Sequence, residues 1–208
     1  MKKKIDLILA SSSPRRKSLL AECGIAFTAV EPPLDEPSTL PAEMTASQAA
    51  EALAYYKARS VSQWHRDSLV LGADTVVAAA DGRILGKPAG RDDARAMLET
   101  LSGSRHSVIT GVALLGPPRG RLIASETTFV TMRPMSESEI VAYLDSGEWQ
   151  GKAGAYAIQE TADRFITRVE GSFSNVVGLP MELLQRMLAL AAKGPDEPSR
   201  RPSKEFLP

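Results

Sequence analysis

Short apolar runs alternate with helical patterns along most of this 208-residue chain. The first run, from about Ile5 to Ala10 and centred on Leu7, reads as a buried strand. It stops at Ser11-Ser12-Ser13, and a helix beginning at Pro14 runs through Leu19, Leu20 and Cys23 until Gly24 ends it. An extended piece from Phe27 to Val30 enters the proline-rich loop Glu31 to Pro41. Thr45 and Gln48 have the spacing of a capping box for a helix reaching Arg59. Leu69 to Val77 is almost continuously apolar, broken at Gly72-Ala73-Asp74-Thr75. A turn at Asp81-Gly82 leads to Ile84-Leu85-Gly86-Lys87-Pro88, and Ala94, Met97, Leu98 and Leu101 mark a helix over Asp92 to Leu101.

His106 to Leu115 and Leu122 to Met132 read as strands joined by the turn Pro117-Pro118-Arg119-Gly120. Ser136 and Glu139 cap a short helix ending at Ser146-Gly147. Phe165 to Val169 and Ser174 to Val177 are expected as short strands around Gly171, and Pro180 opens a last helix to about Ala192. Helices alternating with strands, with hairpin-joined strands in the middle, predict a mixed α/β sheet in one domain over residues 1–193. Residues 194–208 carry almost no apolar content and read as a flexible tail. No internal repeat is present.

Composition narrows the partners. Lys plus Arg equal Asp plus Glu at 25 each, so no global positive field exists to hold DNA or RNA, and aromatic residues for base stacking are only 5%. Any anion site must be local. The single cysteine, Cys23, excludes an internal disulfide and reads as a small buried residue. The start Met-Lys-Lys-Lys-Ile-Asp lacks the apolar core of a signal peptide, and no apolar run reaches the roughly 18 residues that span a bilayer. No membrane partner is expected, and a reducing cytoplasm is the expected location.

Candidate chemistry is spread over distant segments. Ser13 as N-cap, Pro14 at the first helical position, and Arg15 and Arg16 would gather amides, hydroxyls and guanidinium groups at the positive end of a helix. That combination suits a phosphorylated ligand, although it also fits an ordinary capped surface helix. Asp74, inside an apolar run, must be paired, hydrogen-bonded or functional; a structural aspartate bonded to backbone amides is the alternative. Asp35 and Glu36 are oxygen donors of the kind Mg²⁺ takes, or else a solvated acidic loop. Lys57 by itself reads as a solvated helix residue. Lys87 and Lys152, flanked by Gly or Pro, could neutralise a polyphosphate or remain solvated loop lysines. Gln159 carries an amide able to read a base edge.

His65 lies in a polar segment and is expected to be exposed, while His106 is expected to order a turn. No nucleophile elbow, His-Glu-x-x-His or cysteine–histidine pair occurs. The chemistry is therefore directed toward metal-assisted attack by water.

Taken together, these blocks resemble the Maf family of nucleoside triphosphate pyrophosphatases. They are Leu9-Ala10-Ser11-Ser12-Ser13-Pro14-Arg15-Arg16, Asp35-Glu36, Gly72-Ala73-Asp74-Thr75-Val76-Val77, Gly86-Lys87-Pro88 and Leu101-Ser102-Gly103. His106-Ser107-Val108-Ile109-Thr110-Gly111-Val112, Gly151-Lys152-Ala153-Gly154-Ala155-Tyr156-Ala157-Ile158-Gln159 and Val177-Gly178-Leu179-Pro180 follow in family order, so the likeness covers roughly residues 5 to 190. The resemblance implies an elongated mixed-sheet, inosine-triphosphatase-like fold with a cleft between two lobes.

It also implies hydrolysis of a phosphoric anhydride, turning a nucleoside triphosphate into the monophosphate and pyrophosphate with Mg²⁺ or Mn²⁺, and a homodimer. Carried to this chain, Asp74 resembles the general base and, with Glu36, a metal-associated carboxylate. Arg15, Thr75 and Gln159 resemble determinants of base choice. Ser11, Arg16, Lys57, Lys87 and Lys152 resemble substrate contacts. The Gly151–Gln159 block is similar to the dTTP/UTP branch, except that Glu160 stands where that branch usually has glycine. A modified or 7-methylguanine nucleotide, or a non-catalytic nucleotide-binding division regulator, are the alternatives.

Overall fold

The computed structural model describes residues 6–33, 41, 43–117, 120–159 and 161–193. Asp35, Glu36, the Pro118-Arg119 turn, Glu160 and the tail 194–208 lie outside the described residues.

The chain runs β1 (Leu7–Ala10), α1 (Pro14–Glu22), β2 (Thr28–Val30), α2 (Ala46–Ser62), β3 (Leu69–Ala78), β4 (Ile84–Leu85) and α3 (Arg91–Leu101). It continues with β5 (Arg105–Gly116), β6 (Gly120–Met132), α4 (Glu137–Ser146), β7 (Ile166–Glu170), α5 (Phe173–Val177) and α6 (Met181–Ala192). Among the described residues the seven strands form one sheet in the order β2-β1-β3-β5-β6-β7, with β4 beside β3. The first three strands are parallel, and β3, β5, β6 and β7 are antiparallel neighbours. The expected mixed α/β sheet is therefore met.

Alternation along the strands sends side chains to two different layers. Leu9, Leu71 and Leu114 pack with Leu20 of α1 and with α6 on one face. Ile8, Ala10, Val70 and Ala113 pack with Ala54 and Ala58 of α2 on the other. The chain thus leaves β1 toward β2 on one face and returns past β1 to β3 on the opposite face. Such a reversal opens a crevice at the carboxyl end of β1, where open α/β sheets take their ligands.

Helix α2 lies unusually close to the sheet. Ala50, Ala54 and Ala58, four residues apart, line one side of it and are fully buried. The strands answer with glycine: a Cβ at Gly72 would collide with the carbonyl of Ala54, and one at Gly111 with the carbonyl of Ala50.

On the α1 face the core is divided. One apolar cluster includes Leu69, Leu71, Ala73 and Val112; the other includes Val77, Val108, Val130, Tyr156 and Phe165. Between them stand Thr75, Thr110, Thr128 and Asn175, the last three of which have no more than 0% exposure. This polar seam separates the two halves at the level of the crevice.

Several expectations change. β3 is not broken at Gly72–Thr75 but runs in register with β5 from Val70 opposite Leu115 to Ala78 opposite Ser107. Gly72 makes room for α2, and Asp74 finds a cation there, so neither interrupts the ladder. Ser174–Val177 is helical, because the Ser172 hydroxyl accepts from the Asn175 N–H and Gly178, at φ +127°, turns the chain out. Local capping overrides the β preference of the two valines. Helix α2 runs past Arg59 to Ser62, with its Thr45–Gln48 capping box in place. Cys23 is exposed, not buried, because it caps the end of α1 beyond the stripe that meets the sheet. His65 is half-buried. Ser13 occupies the N-cap of α1 without a side-chain cap; its own N–H donates to the Ser11 hydroxyl at 3.2 Å. Among the described residues no helix is long and apolar enough to cross a membrane.

Candidate active site

The crevice at the carboxyl end of β1 opens into a cavity of about 500 Å³, within the range common for small-molecule sites. β1 ends opposite Gly72, so Asp74 and Thr75, just beyond in β3, have no β1 partner beside them and line the cavity. Adjacent in the strand, they face opposite sides of the sheet.

Asp74 turns toward α2 and accepts from the Lys57 ammonium, Nζ to Oδ1 2.5 Å. Both residues are buried, at 5% and 8% exposure. Lys57 lies one helical turn from Ala54 and Leu53 on the inward face of α2, which explains why a lysine with an unremarkable helical context ends up beneath β3. An unpaired charge at this depth would be costly, so each partner depends on the other.

Thr75 turns toward α1. Its hydroxyl oxygen receives Arg16 Nη2 at 3.2 Å and lies 2.9 Å from that of Thr110. Arg16 also donates from Nε to the Gly178 carbonyl at 2.8 Å and from Nη1 to the Ser11 hydroxyl at 3.4 Å. Arg15 donates from Nε to the Val177 carbonyl at 3.3 Å. The short α5 segment therefore holds both guanidinium groups in place from the far end of the sequence.

Two further loops close the cavity. Lys87 follows β4, and Lys152 precedes the tight turn Ala153–Ala155. The Gly154 N–H donates to the Gly86 carbonyl at 3.0 Å, tying the two lysine loops together. Gly154 has φ +68° and packs against Val77, so a side chain would be strained there. Ala155, at φ +60°, is the one described non-glycine residue in that region. Tyr156 then reaches under the turn to His106, Oη to Nε2 2.7 Å, with the rings edge to face.

His106 is not a turn-ordering residue but 1% exposed, because β5 carries it inward beside Tyr156. Burial pulls its pKa from 6.5 down to about 4 and pushes the Tyr156 phenol up. Between those two values for His106 the unfolded chain binds a proton that the folded chain refuses. Stability is thus full above about pH 6.5 and is lost as pH falls toward about 4, by about 3 kcal/mol at most. Urea unfolding at about pH 7 and about pH 5 should register this decline, and a His106→Gln variant should show a shallower one. An equally steep decline in the variant would remove His106 from the effect.

The cavity is strongly cationic for a chain of zero net charge. Arg15, Arg16, Lys57, Lys87 and Lys152 line it against two acids, Asp74 and Glu31. Ser11 lines it as well. Of the residues singled out from sequence, then, Ser11, Arg15, Arg16, Lys57, Asp74, Thr75, Lys87 and Lys152 come together. Gln159 is exposed and lies one residue beyond the lining residue Ile158, outside the cavity wall. Glu36 lies outside the described residues.

Sequence reasoning missed Thr110, Asn175 and Tyr156. A signal existed for the first: Thr110 interrupts the inward apolar alternation Val108, Val112, Leu114 of β5. Asn175 carried none, since only the fold brings its carbonyl to Thr110.

No group of three His, Cys, Asp or Glu side chains able to cage a metal occurs among the described residues. The cavity does offer the Asp74 carboxylate, whose Oδ1 alone is engaged by Lys57. That donor set fits a hard cation which takes one or two carboxylates and fills its other positions with water and phosphate oxygens.

Fold and site define a mixed α/β protein that gathers five cationic side chains and one buried aspartate in a single cavity at a topological switch point. The chain belongs to the Maf family: the model of Maf-like proteins matches residues 6–191. A protein of Pelotomaculum thermopropionicum named dTTP/UTP pyrophosphatase is 45% identical over 184 residues, spanning 88% of this chain and 95% of the relative. One of the same name from Symbiobacterium thermophilum is 47% identical over 188 residues, spanning 88% and 92%. Among solved structures, the Staphylococcus aureus Ham1 protein superposes with a TM-score of 0.51 at 10% identity, covering 88% of this chain and 98% of that one. This last likeness concerns the fold.

Proposed function

We propose that this protein hydrolyses a nucleoside triphosphate, dTTP and UTP foremost, to the monophosphate and pyrophosphate. The observation that carries the reading is the meeting of five cationic side chains with one buried aspartate in a single cavity. A triphosphate supplies about four negative charges, and the family relatives are named for this reaction on dTTP and UTP.

In the proposed reaction a water oxygen forms a bond to the α-phosphorus as the bond to the bridging oxygen of the β-phosphate breaks. The electron pair leaves with pyrophosphate, and the proton of the attacking water passes to Asp74. Lys57 holds the orientation of that carboxylate and offsets its charge. Arg16, Lys87 and Lys152 stabilise the charge spread over the phosphate oxygens; little covalent work remains for the protein beyond such positioning. A divalent cation, Mg²⁺ or Mn²⁺, belongs to the same proposal: Asp74 would hold it, and it would supply Lewis acidity toward the phosphates.

The test is pyrophosphate release from dTTP, UTP, CTP and 7-methyl-GTP, with Mg²⁺ or Mn²⁺ and with chelator. Release from dTTP and UTP, abolished by chelator, is expected. Release of orthophosphate instead, or no cleavage of any triphosphate, would defeat the reading.

A further inference from the structure

The polar seam between the two apolar clusters imposes a direction on its hydrogen bonds. The Asn175 carbonyl can only accept. It takes the Gly178 N–H at 3.0 Å and faces the Thr110 hydroxyl at 3.0 Å. If the Thr110 proton pointed elsewhere, an oxygen lone pair would sit against that carbonyl oxygen with no water to separate them, since both residues are 0% exposed. Thr110 therefore donates to Asn175. A hydroxyl has one proton, so in its 2.9 Å contact with Thr75 the Thr110 oxygen must accept. Thr75 donates there. Arg16 Nη2, which cannot accept, then fills one of the two lone pairs of the Thr75 oxygen.

What remains of Thr75 for a ligand is one lone pair. Thr75 is half-buried and lines the cavity, so that lone pair belongs to the ligand's environment. A phosphate group offers only acceptor oxygens at neutral pH and gains nothing from it. A ring N–H does.

We infer that Thr110, backed by the Asn175 carbonyl, locks Thr75 as an acceptor-only group that selects nucleobases presenting a ring N–H. Uracil and thymine carry such a donor at N3; cytosine presents a lone pair at the same position and would be repelled. Thr110 is then a specificity-determining positioning residue that never touches substrate. The inference rests on the nucleotide reading above and deepens it, because one acceptor accounts for the grouping of dTTP with UTP irrespective of the thymine methyl and the sugar 2′-hydroxyl. Sites that pair a polar group discriminate sharply, since the wrong ligand leaves it unpaired or opposed.

The experiment compares kcat/KM for UTP, dTTP and CTP in the natural protein, Thr110→Val and Thr110→Ser. Valine keeps the shape but removes the hydroxyl, freeing the Thr75 proton to turn into the cavity. The UTP-over-CTP preference should fall on the order of tenfold, the worth of about one hydrogen bond, with CTP gaining through KM. Serine, which keeps the relay, should restore the preference. A purely structural role would lower all three substrates together in the valine variant, and that result overturns the inference, as does an unmoved ratio. Should Thr110→Val fail to fold, Thr75→Val removes the acceptor directly: a lost preference supports the inference and a retained one sinks it. A natural protein that cleaves CTP as well as UTP also sinks it while leaving the hydrolase reading intact. Failure to cleave any triphosphate is the separate failure of that reading.

Discussion

Asp74→Asn is expected to lower pyrophosphate release from dTTP and UTP by about 10²–10⁴-fold, the usual cost of removing a general base. The substitution preserves size and lets the side-chain carbonyl keep the Lys57 hydrogen bond now made to Oδ1. What it removes is the basic oxygen that takes the proton of the attacking water. The cations of the cavity stay in place, so nucleotide binding by calorimetry should persist while turnover collapses. Melting curves separate this from unfolding, since Lys57 loses its ionic partner in a buried setting and some stability goes with it. Turnover within a few-fold of the natural protein, in a folded variant, would take the base role away from Asp74.

Gly111→Ala should be strongly destabilising, and Gly72→Ala likewise. Each adds a carbon where the backbone of α2 already lies: Gly111 against the Ala50 carbonyl, Gly72 against that of Ala54. Neither obstacle is a flexible side chain, so the helix itself must move outward. Overpacking against such a backbone costs about 3 kcal/mol or more, a fall of roughly 6–12 °C in Tm for a chain of this size. Activity should suffer as well, because α2 carries Lys57 and its displacement separates the ammonium from Asp74. Thermal melts and pyrophosphate assays on the two variants check both effects. Full stability in either variant would mean that α2 does not rest on the strands as closely as described.

Much of the site was legible in the chain before any folding. The β1–α1 start announced itself through an apolar run, serines, a proline at the first helical position and paired arginines. The two capping boxes, Thr45–Gln48 and Ser136–Glu139, fixed where α2 and α4 begin, and both are formed. These signals are local: a cap or a proline acts on groups within a few residues, so the chain states them wherever it folds. Asp74 was visible for a related reason, as an acid embedded in apolar text must find a partner.

The partner itself was not visible. Lys57 reads as an ordinary helical lysine until the direction of α2 across β3 brings it beneath Asp74. Ser174–Val177 read as strand by composition, and a serine cap with a positive-φ glycine made it helix. The buried His106–Tyr156 pair and the relay through Thr110 to the Asn175 carbonyl likewise join residues far apart in sequence. Amino-acid order alone settled most of the elements, the capping boxes of α2 and α4, and which types of charge were on hand. Tertiary structure decided which charge meets which, because burial and long-range contact depend on how helices lie on the sheet, and no local rule encodes that.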